Sequence, residues 1–174
     1  DHKRVFDGNV GPNTGGMGAI APVPEVSEAQ MEEIAHSIVA PTLKGLRKRG
    51  REFSGLLYPG LMMTPQGPKV VEFNARFGDP EAEAYMMLLG SDLFDILHAC
   101  ATGNLASEKV EWRVGYSCCV VVASGGYPGK YETGLSISGI PADSEDLAIF
   151  QAGTKREGDK LVTSGGRVLV VTAF

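Results

Sequence analysis

A chain of 174 residues is long enough for one ordinary domain or two small ones. With 43% hydrophobic and 21% charged residues it has the composition of a chain that buries a core, which excludes a disordered protein. The net charge of -5 lacks the basic footprint of a nucleic-acid binder, although a few local cations and backbone N–H groups can still hold a phosphate. No apolar run reaches the length of a membrane span, and no signal peptide is recognisable. The three cysteines, Cys100, Cys118 and Cys119, have neither zinc nor disulfide-framework spacing. They fall in apolar runs, read as buried thiols, and suit a reducing cytoplasm.

In chain order, the first distinctive stretch is "DHKRVFDGNVGPNTGGMGA". Gly15, Gly16 and Gly18 permit positive φ and close approach of backbone to a ligand. Successive N–H groups of such a turn form an anion-binding concavity, and Asn13 and Thr14 add side-chain hydrogen bonds. Asp1, His2, Lys3 and Arg4 stand just upstream, three of them able to carry positive charge. Neither the Lys-Ser/Thr of a phosphate loop nor the third glycine of a dinucleotide fingerprint is present. Residue chemistry leaves two readings open: a solvent-exposed leading loop, or a cradle for an anionic substrate.

The segment "SEAQMEEIAHSIVAPTLKGLRKRG" predicts a helix that opens on a capping box at Ser27 and Gln30. Met31, Ile34, Ala35, Ile38, Val39, Leu43 and Leu46 fall on one stripe, and Pro41 is expected to kink or split the helix. The basic cluster Lys44, Arg47, Lys48 and Arg49 reads as a solvated C-terminal turn ended by Gly50. "SGLLYPGLMM" and "GPKVVEFNA" predict two strands joined by a turn at Thr64–Gly67, with Pro59 marking an edge or a bulge. Asp79 and Ser91 are the expected caps of two further helices. From about Asn104 the pattern turns to short strands and Gly-bearing turns, with "YSCCVVVAS" read as a buried strand. The expected organisation is α+β: residues 1–104 as one part and 105–174 as a small all-β part.

The stretch richest in chemistry is "VVEFNARFGDPE". Strand alternation would turn Val71 and Phe73 to the core and Glu72 and Asn74 to the other face, with their Cα atoms about 6.6 Å apart. A carboxylate and an amide at that spacing can share a hard cation such as Mg²⁺, which keeps waters and substrate phosphates as its other ligands. Arg76 continues the same parity and could grip a phosphate. A merely half-exposed strand is the competing reading. Asn is out of place in a strand unless a site or a strand end needs it, and Asp79, Glu81 and Glu83 raise the local carboxylate density. His36 and His98 read as structural helix residues.

"DHKRVFDGNVGPNTGGMGA", "GLMMTPQGPKVVEFNARFGDPE", "GGYPGKYETG" and "AGT…LVTSGGRVLVVTA" together resemble the glycinamide ribonucleotide synthetase (phosphoribosylamine–glycine ligase) family of the ATP-grasp superfamily. The motifs occur in the family's order and spread over nearly the whole chain. The resemblance implies the second half of an ATP-grasp domain, an antiparallel sheet with helices, followed by a small C-terminal β domain. It implies ATP-dependent joining of glycine to 5-phosphoribosylamine through an acyl phosphate, with Mg²⁺ (or Mn²⁺), in purine biosynthesis in the cytoplasm. Glu72 and Asn74 match the family's metal ligands, and Arg76 and Asp79 would stand beside the phosphates and substrate. Asp1, His2, Lys3, Arg4, Asn13, Thr14, Gly15 and Gly16 match the substrate side. The chain departs from the pattern at Pro59, where Ala is frequent, and at Glu83, where Gln is frequent. It shows no acidic residue in "GLLYPGLMM" for a second metal. The family's N-terminal domain and ATP-grasp lid have no counterpart in these residues, so this segment alone is expected to be inactive. The alternative is a non-catalytic, ATP-grasp-derived module that binds phosphate ligands or a partner.

Overall fold

The computed structural model describes residues 1–174. In chain order the elements are β1 (Arg4–Phe6), β2 (Val10–Asn13) and β3 (Gly18–Ala21), then α1 (Glu28–Ile34), a π-helical turn over Ala35–Val39, and α2 (Ala40–Lys48). Next come β4 (Tyr58–Thr64), β5 (Gly67–Asn74), α3 (Glu81–Met86) and α4 (Leu93–Thr102). The C-terminal third holds β6 (Ser117–Ala123), β7 (Ser136–Ile137), β8 (Leu147–Gln151), β9 (Thr154–Glu157), β10 (Lys160–Thr163) and β11 (Arg167–Ala173). The architecture is α+β and divides into two units, residues 1–22, 79–89 and 112–174 in one, and residues 23–78 and 90–111 in the other.

The first unit is built on a four-stranded antiparallel sheet of order β3-β6-β11-β8. The β-branched runs of β6 and β11 suit its centre. β6 alternates: Ser117, Cys119 and Val121 are buried, whereas Cys118, Val120 and Val122 are exposed. The strand is therefore covered on one face only, and Cys118 is not the buried thiol the sequence predicts. α3 packs on the covered face, where Ala84 meets Ala19, Cys119, Val121 and Val170. A β-bulge between Arg167 and Leu169 interrupts the pairing of β11 with β6, and Val168 and Leu169 are both buried there. A second sheet, β7-β10-β9, and the β1–β2 hairpin complete the unit. Arg113 closes one end: its guanidinium stacks 3.7 Å above the Phe174 ring and pairs with Asp146 at 3.2 Å.

The second unit carries the long helical segment and the β4–β5 hairpin. The capping box forms, with Ser27 Oγ accepting from Gln30 N and Gln30 Oε1 accepting from Ser27 N. Pro41 lies in the first turn of α2, and the π-helical turn before it absorbs the break that a residue without an N–H imposes. Of the predicted apolar stripe Ile34 is buried, while Met31 and Leu43 are exposed. β4 starts at Tyr58, four residues later than the strand-like run, and its register with β5 shifts at Gly60–Leu61, beside Pro59. The expected caps of the two shorter helices differ. Pro80 occupies the N-cap of α3, with no side-chain bond from Asp79. Asp92, not Ser91, caps α4 by accepting from Phe94 N at 2.7 Å. Ser91 instead accepts from Glu111 N and donates to Lys109 O.

Val170 is 1% exposed at the centre of the first unit's core. Val170→Ala should cost about 2 kcal/mol, combining lost transfer energy with an unfilled cavity. Val114 is 98% exposed, and Val114→Ala should stay within about 0.5 kcal/mol of wild type. Urea unfolding of the two variants checks both, and equal effects would sink the assignment of this core.

Candidate functional site

The glycine-rich segment is ordered by the residues just before it. Arg4 pairs with Asn13 and Phe6 with Val10 across the β1–β2 hairpin, and Arg4 Nη1 donates to the Gly11 carbonyl. The backbone then folds back. Thr14 N donates to Lys3 O at 2.8 Å, and Met17 N to His2 O at 2.8 Å. Gly16 N donates to Thr14 Oγ1 at 3.0 Å and Gly15 N to the Tyr127 hydroxyl at 3.2 Å. Every N–H from Thr14 to Met17 thus has a partner within the protein. Of the two readings left open by the sequence, an anion cradle built from these backbone N–H groups does not form, because the donors are already committed. Gly16 has φ 124° and is buried, and a Cβ there would lie 2.4 Å from Pro80 Cδ and 2.8 Å from Asp1 Oδ1. Glycine is required both for that conformation and for that packing. The Asp1 side chain, only 9% exposed, pairs with Lys3.

One side chain that sequence reasoning missed gathers this region. Arg167 Nη1 lies 3.2 Å from Gly15 O, 3.4 Å from Gly16 O and 2.9 Å from Asp79 O. It also pairs with Asp79 Oδ1 at 3.1 Å. The only sequence signal is the Gly165-Gly166-Arg167 run at the head of a strand. Gly166 admits the Tyr127 ring, since a Cβ there would lie 2.2 Å from Tyr127 Cδ2. Structure therefore brings together Asp1, Lys3, Thr14, Gly15, Gly16 and Asp79 in the first unit.

Glu83, on α3 of the same unit, has a buried carboxyl oxygen, Oε2, without a hydrogen-bond partner. Burial pushes its pKa above the ordinary 4.5, and the Asp79 and Glu81 carboxylates add to the rise. Its own backbone N–H and Arg167 pull the other way. Cys119 is pushed up to about 11, chiefly by burial, so its thiol stays protonated and donates to Pro80 O at 3.2 Å.

Glu72, Asn74 and Arg76 belong to the second unit. Asn74 Nδ2 lies 3.4 Å from Glu72 Oε1, so the carboxylate and the amide share one face of β5, as the alternation predicts. Glu72 is exposed and Asn74 half-buried. The chain has no cluster of three or more His, Cys, Asp or Glu residues that could enclose a metal. With its amide turned so that Oδ1 rather than Nδ2 faces Glu72, Asn74 and that carboxylate would offer two oxygen ligands to a Mg²⁺ ion that takes the rest from water and phosphate. Two expectations fail here. β5 ends at Asn74, so strand parity does not reach Arg76, whose Nη1 folds back onto Phe77 O at 2.7 Å. Val71 and Phe73 are 68% and 43% exposed, because a two-stranded ribbon has no layer of its own to bury a face. Of the two helix histidines, His36 contacts Glu32 O and His98 stacks on Phe94.

The model of the phosphoribosylglycinamide synthetase ATP-grasp (A) domain matches residues 1–82, and that of the phosphoribosylglycinamide synthetase C domain matches residues 117–174. The fold class is thus part of an ATP-grasp domain followed by a C-terminal β domain. The chain is 51% identical over its whole length to the phosphoribosylamine–glycine ligase of Agrobacterium fabrum, covering 41% of that protein. It is 50% identical over 171 residues to that of Halalkalibacterium halodurans, covering 98% of this chain and 40% of the relative. The crystal structure of the Thermotoga maritima phosphoribosylamine–glycine ligase superposes with TM-score 0.82 at 39% identity, over 99% of this chain and 42% of that one. At 16% identity, the biotin carboxylase domain of Hydrogenobacter thermophilus 2-oxoglutarate carboxylase shares the fold, with TM-score 0.62 over 91% of this chain and 34% of that one. The chain belongs to the phosphoribosylamine–glycine ligase family and spans about two fifths of the length of the curated relatives it matches.

Glu83 supplies a test of the electrostatics. Its folded pKa lies above the unfolded value, so the protonated carboxyl favours folding; that contribution is complete below 4.5 and is lost as pH rises through the folded pKa. Glu83→Gln keeps the shape without the titration. It should match wild type in thermal stability at about pH 4 and exceed it at about pH 8. Parallel melting curves for the two proteins at both pH values would contradict the raised pKa.

Proposed function

We propose that this chain is the metal-holding and substrate-holding portion of a ligase that joins glycine to 5-phosphoribosylamine at the expense of ATP. The observation that carries the reading is the Glu72–Asn74 pair, side by side on one open strand face of a chain from this family. In this reaction a glycine carboxylate oxygen attacks the γ-phosphorus of ATP and the bond to ADP breaks. The amine of 5-phosphoribosylamine then attacks the glycyl carbonyl, phosphate leaves, and the amine loses a proton. The product is glycinamide ribonucleotide, and the cytoplasm is the compartment read with it.

Glu72 and Asn74 would hold Mg²⁺ or Mn²⁺. When bound, the ion neutralises phosphate charge and orients the triphosphate. Arg76 carries an exposed guanidinium on the same segment, suited to bidentate contact with a phosphate that loses charge to a leaving group. On the substrate side, Asp1, His2, Lys3, Arg4, Asn13, Thr14, Gly15, Gly16 and Asp79 form the candidate wall. Its amides from Thr14 to Met17 are spent internally. Recognition of an anionic substrate therefore falls to side chains, with Lys3 and Arg4 as the cations at hand and the His2 imidazole beside them. Phosphoryl transfer asks for positioning and charge stabilisation, and no protein nucleophile is required.

In the full-length protein, Glu72→Ala should lower kcat by on the order of 10²-fold or more and raise the Mg²⁺ concentration needed for half-maximal rate. Glycine-dependent ADP release across a Mg²⁺ titration measures both. Wild-type turnover of Glu72→Ala at limiting Mg²⁺ would remove Glu72 from the site. The 174-residue chain by itself should show no glycine-dependent ATP hydrolysis, and a measurable rate would mean that it carries a complete ATP site.

A further inference from the structure

We infer that Arg167 is a positioning residue for the substrate side of the reaction, and that Tyr127 is its second brace on the glycine-rich turn. The inference rests on the reading above that this turn faces substrate.

Gly15 is held through both of its backbone polar groups, which belong to adjacent peptide planes. Its N–H donates to the Tyr127 hydroxyl at 3.2 Å and its carbonyl accepts from Arg167 Nη1 at 3.2 Å. The Gly16 carbonyl lies 3.4 Å from the same nitrogen, which fixes two consecutive peptide planes of the turn. The guanidinium lies close against the backbone, since a Cβ on Gly15 would sit 3.2 Å from Arg167 Cζ. Asp79 lies at the same nitrogen, its carbonyl at 2.9 Å and its carboxylate at 3.1 Å, so the two N–H bonds there are shared among these acceptors. Arg167 therefore couples two separate parts of the candidate wall, the Gly15–Gly16 turn and Asp79.

Local structure explains how a residue at a strand end does this. The bulge between Arg167 and Leu169 departs from regular alternation, a device that re-aims a side chain where a strand meets a site. The Arg167 carbonyl accepts from Gly153 N at 2.7 Å, which anchors its backbone. The Tyr127 ring packs on Gly166, the residue before Arg167, and lies 6.2 Å from the Tyr131 ring. Both braces thus come from the C-terminal β segment, and both reach a turn more than a hundred residues earlier. A lysine could keep the charge, but its single ammonium lacks the planar fork that lies flat against Gly15.

The test uses full-length protein carrying Arg167→Met, Arg167→Lys or Tyr127→Phe, with two readouts. Hydrogen exchange of residues 11–18 reports the order of the turn. Steady-state kinetics report KM separately for glycine, 5-phosphoribosylamine and ATP. For Arg167→Met we expect exchange in 11–18 to speed up by about tenfold and KM for glycine or 5-phosphoribosylamine to rise by about tenfold, with KM for ATP within about twofold of wild type. Arg167→Lys should fall between, and Tyr127→Phe should shift in the same direction by less. If Arg167→Met does not fold, the other two variants carry the same comparison. Unchanged exchange in all folded variants overturns the bracing itself. A rise in KM for ATP in step with the other substrates overturns it in favour of a purely structural role. Faster exchange with unchanged KM for glycine and 5-phosphoribosylamine overturns the inference through the reading beneath it, by showing an ordered turn that substrates do not use.

Discussion

The first unit depends on the pairing of β3 with β6, in which Gly18 lies opposite Val120 and Ala21 opposite Ser117. The partners are about a hundred residues apart in the chain. Closing a flexible loop of that length costs about 4 kcal/mol beyond a constant. Burial offsets it: Ala19, Cys119, Val121, Val170 and Ala84 close into one cluster only when β3 is in place. Gly18 permits the approach, because a Cβ there would stand 2.5 Å from the Cys119 carbonyl. Cys119 then links three segments, accepting from Ala19 N and donating its thiol proton to Pro80 O, each at 3.2 Å. That donation requires the thiol form, which burial enforces.

Once β3 is seated, the residues before it have little freedom. His2 N donates to Gly18 O while Met17 N returns to His2 O, so the N-terminal residues and the glycine-rich turn are laced together directly at the strand's start. The turn's conformation is consequently set by protein contacts on all sides: Lys3 and His2 along one edge, Thr14 within, Tyr127 and Arg167 from the β segment. A loop of this kind differs in kind from a phosphate loop. A phosphate loop keeps its amides unpaired for the ligand, whereas this one spends them on its own shape and leaves carbonyls and side chains for its surroundings.

The sequence made local features legible and left the assembled ones hidden. The Ser27–Gln30 capping box, the Pro41 interruption and the Thr64–Gly67 hairpin are written within a few residues of where they act, and they appear as predicted. The shared face of Glu72 and Asn74 follows from the period of a strand and was equally visible. What failed depended on partners distant in sequence. Arg76 was assigned by extending a strand that stops at Asn74. Val71 and Phe73 were assigned to a core because apolar alternation says which residues share a face, not whether another layer covers it. Asp79 looked like a helix cap because its sequence neighbours fit one, yet its carboxylate is drawn to Arg167, 88 residues away. No local pattern marks Arg167 as the residue that gathers the turn, since the carbonyls it binds carry no side-chain signature.

Charge balance around Arg167 shows why this gathering is stable. The Arg167 guanidinium pairs with Asp79 at 3.1 Å and also lowers the Glu83 pKa, an effect smaller than the burial that raises it. Two ionised carboxylates would leave the cluster with a net negative charge in a partly dehydrated place, and burial penalises that most at Glu83. The raised Glu83 pKa acts against that build-up of charge, while Asp79 and the Gly15 and Gly16 carbonyls make the direct contacts with Arg167.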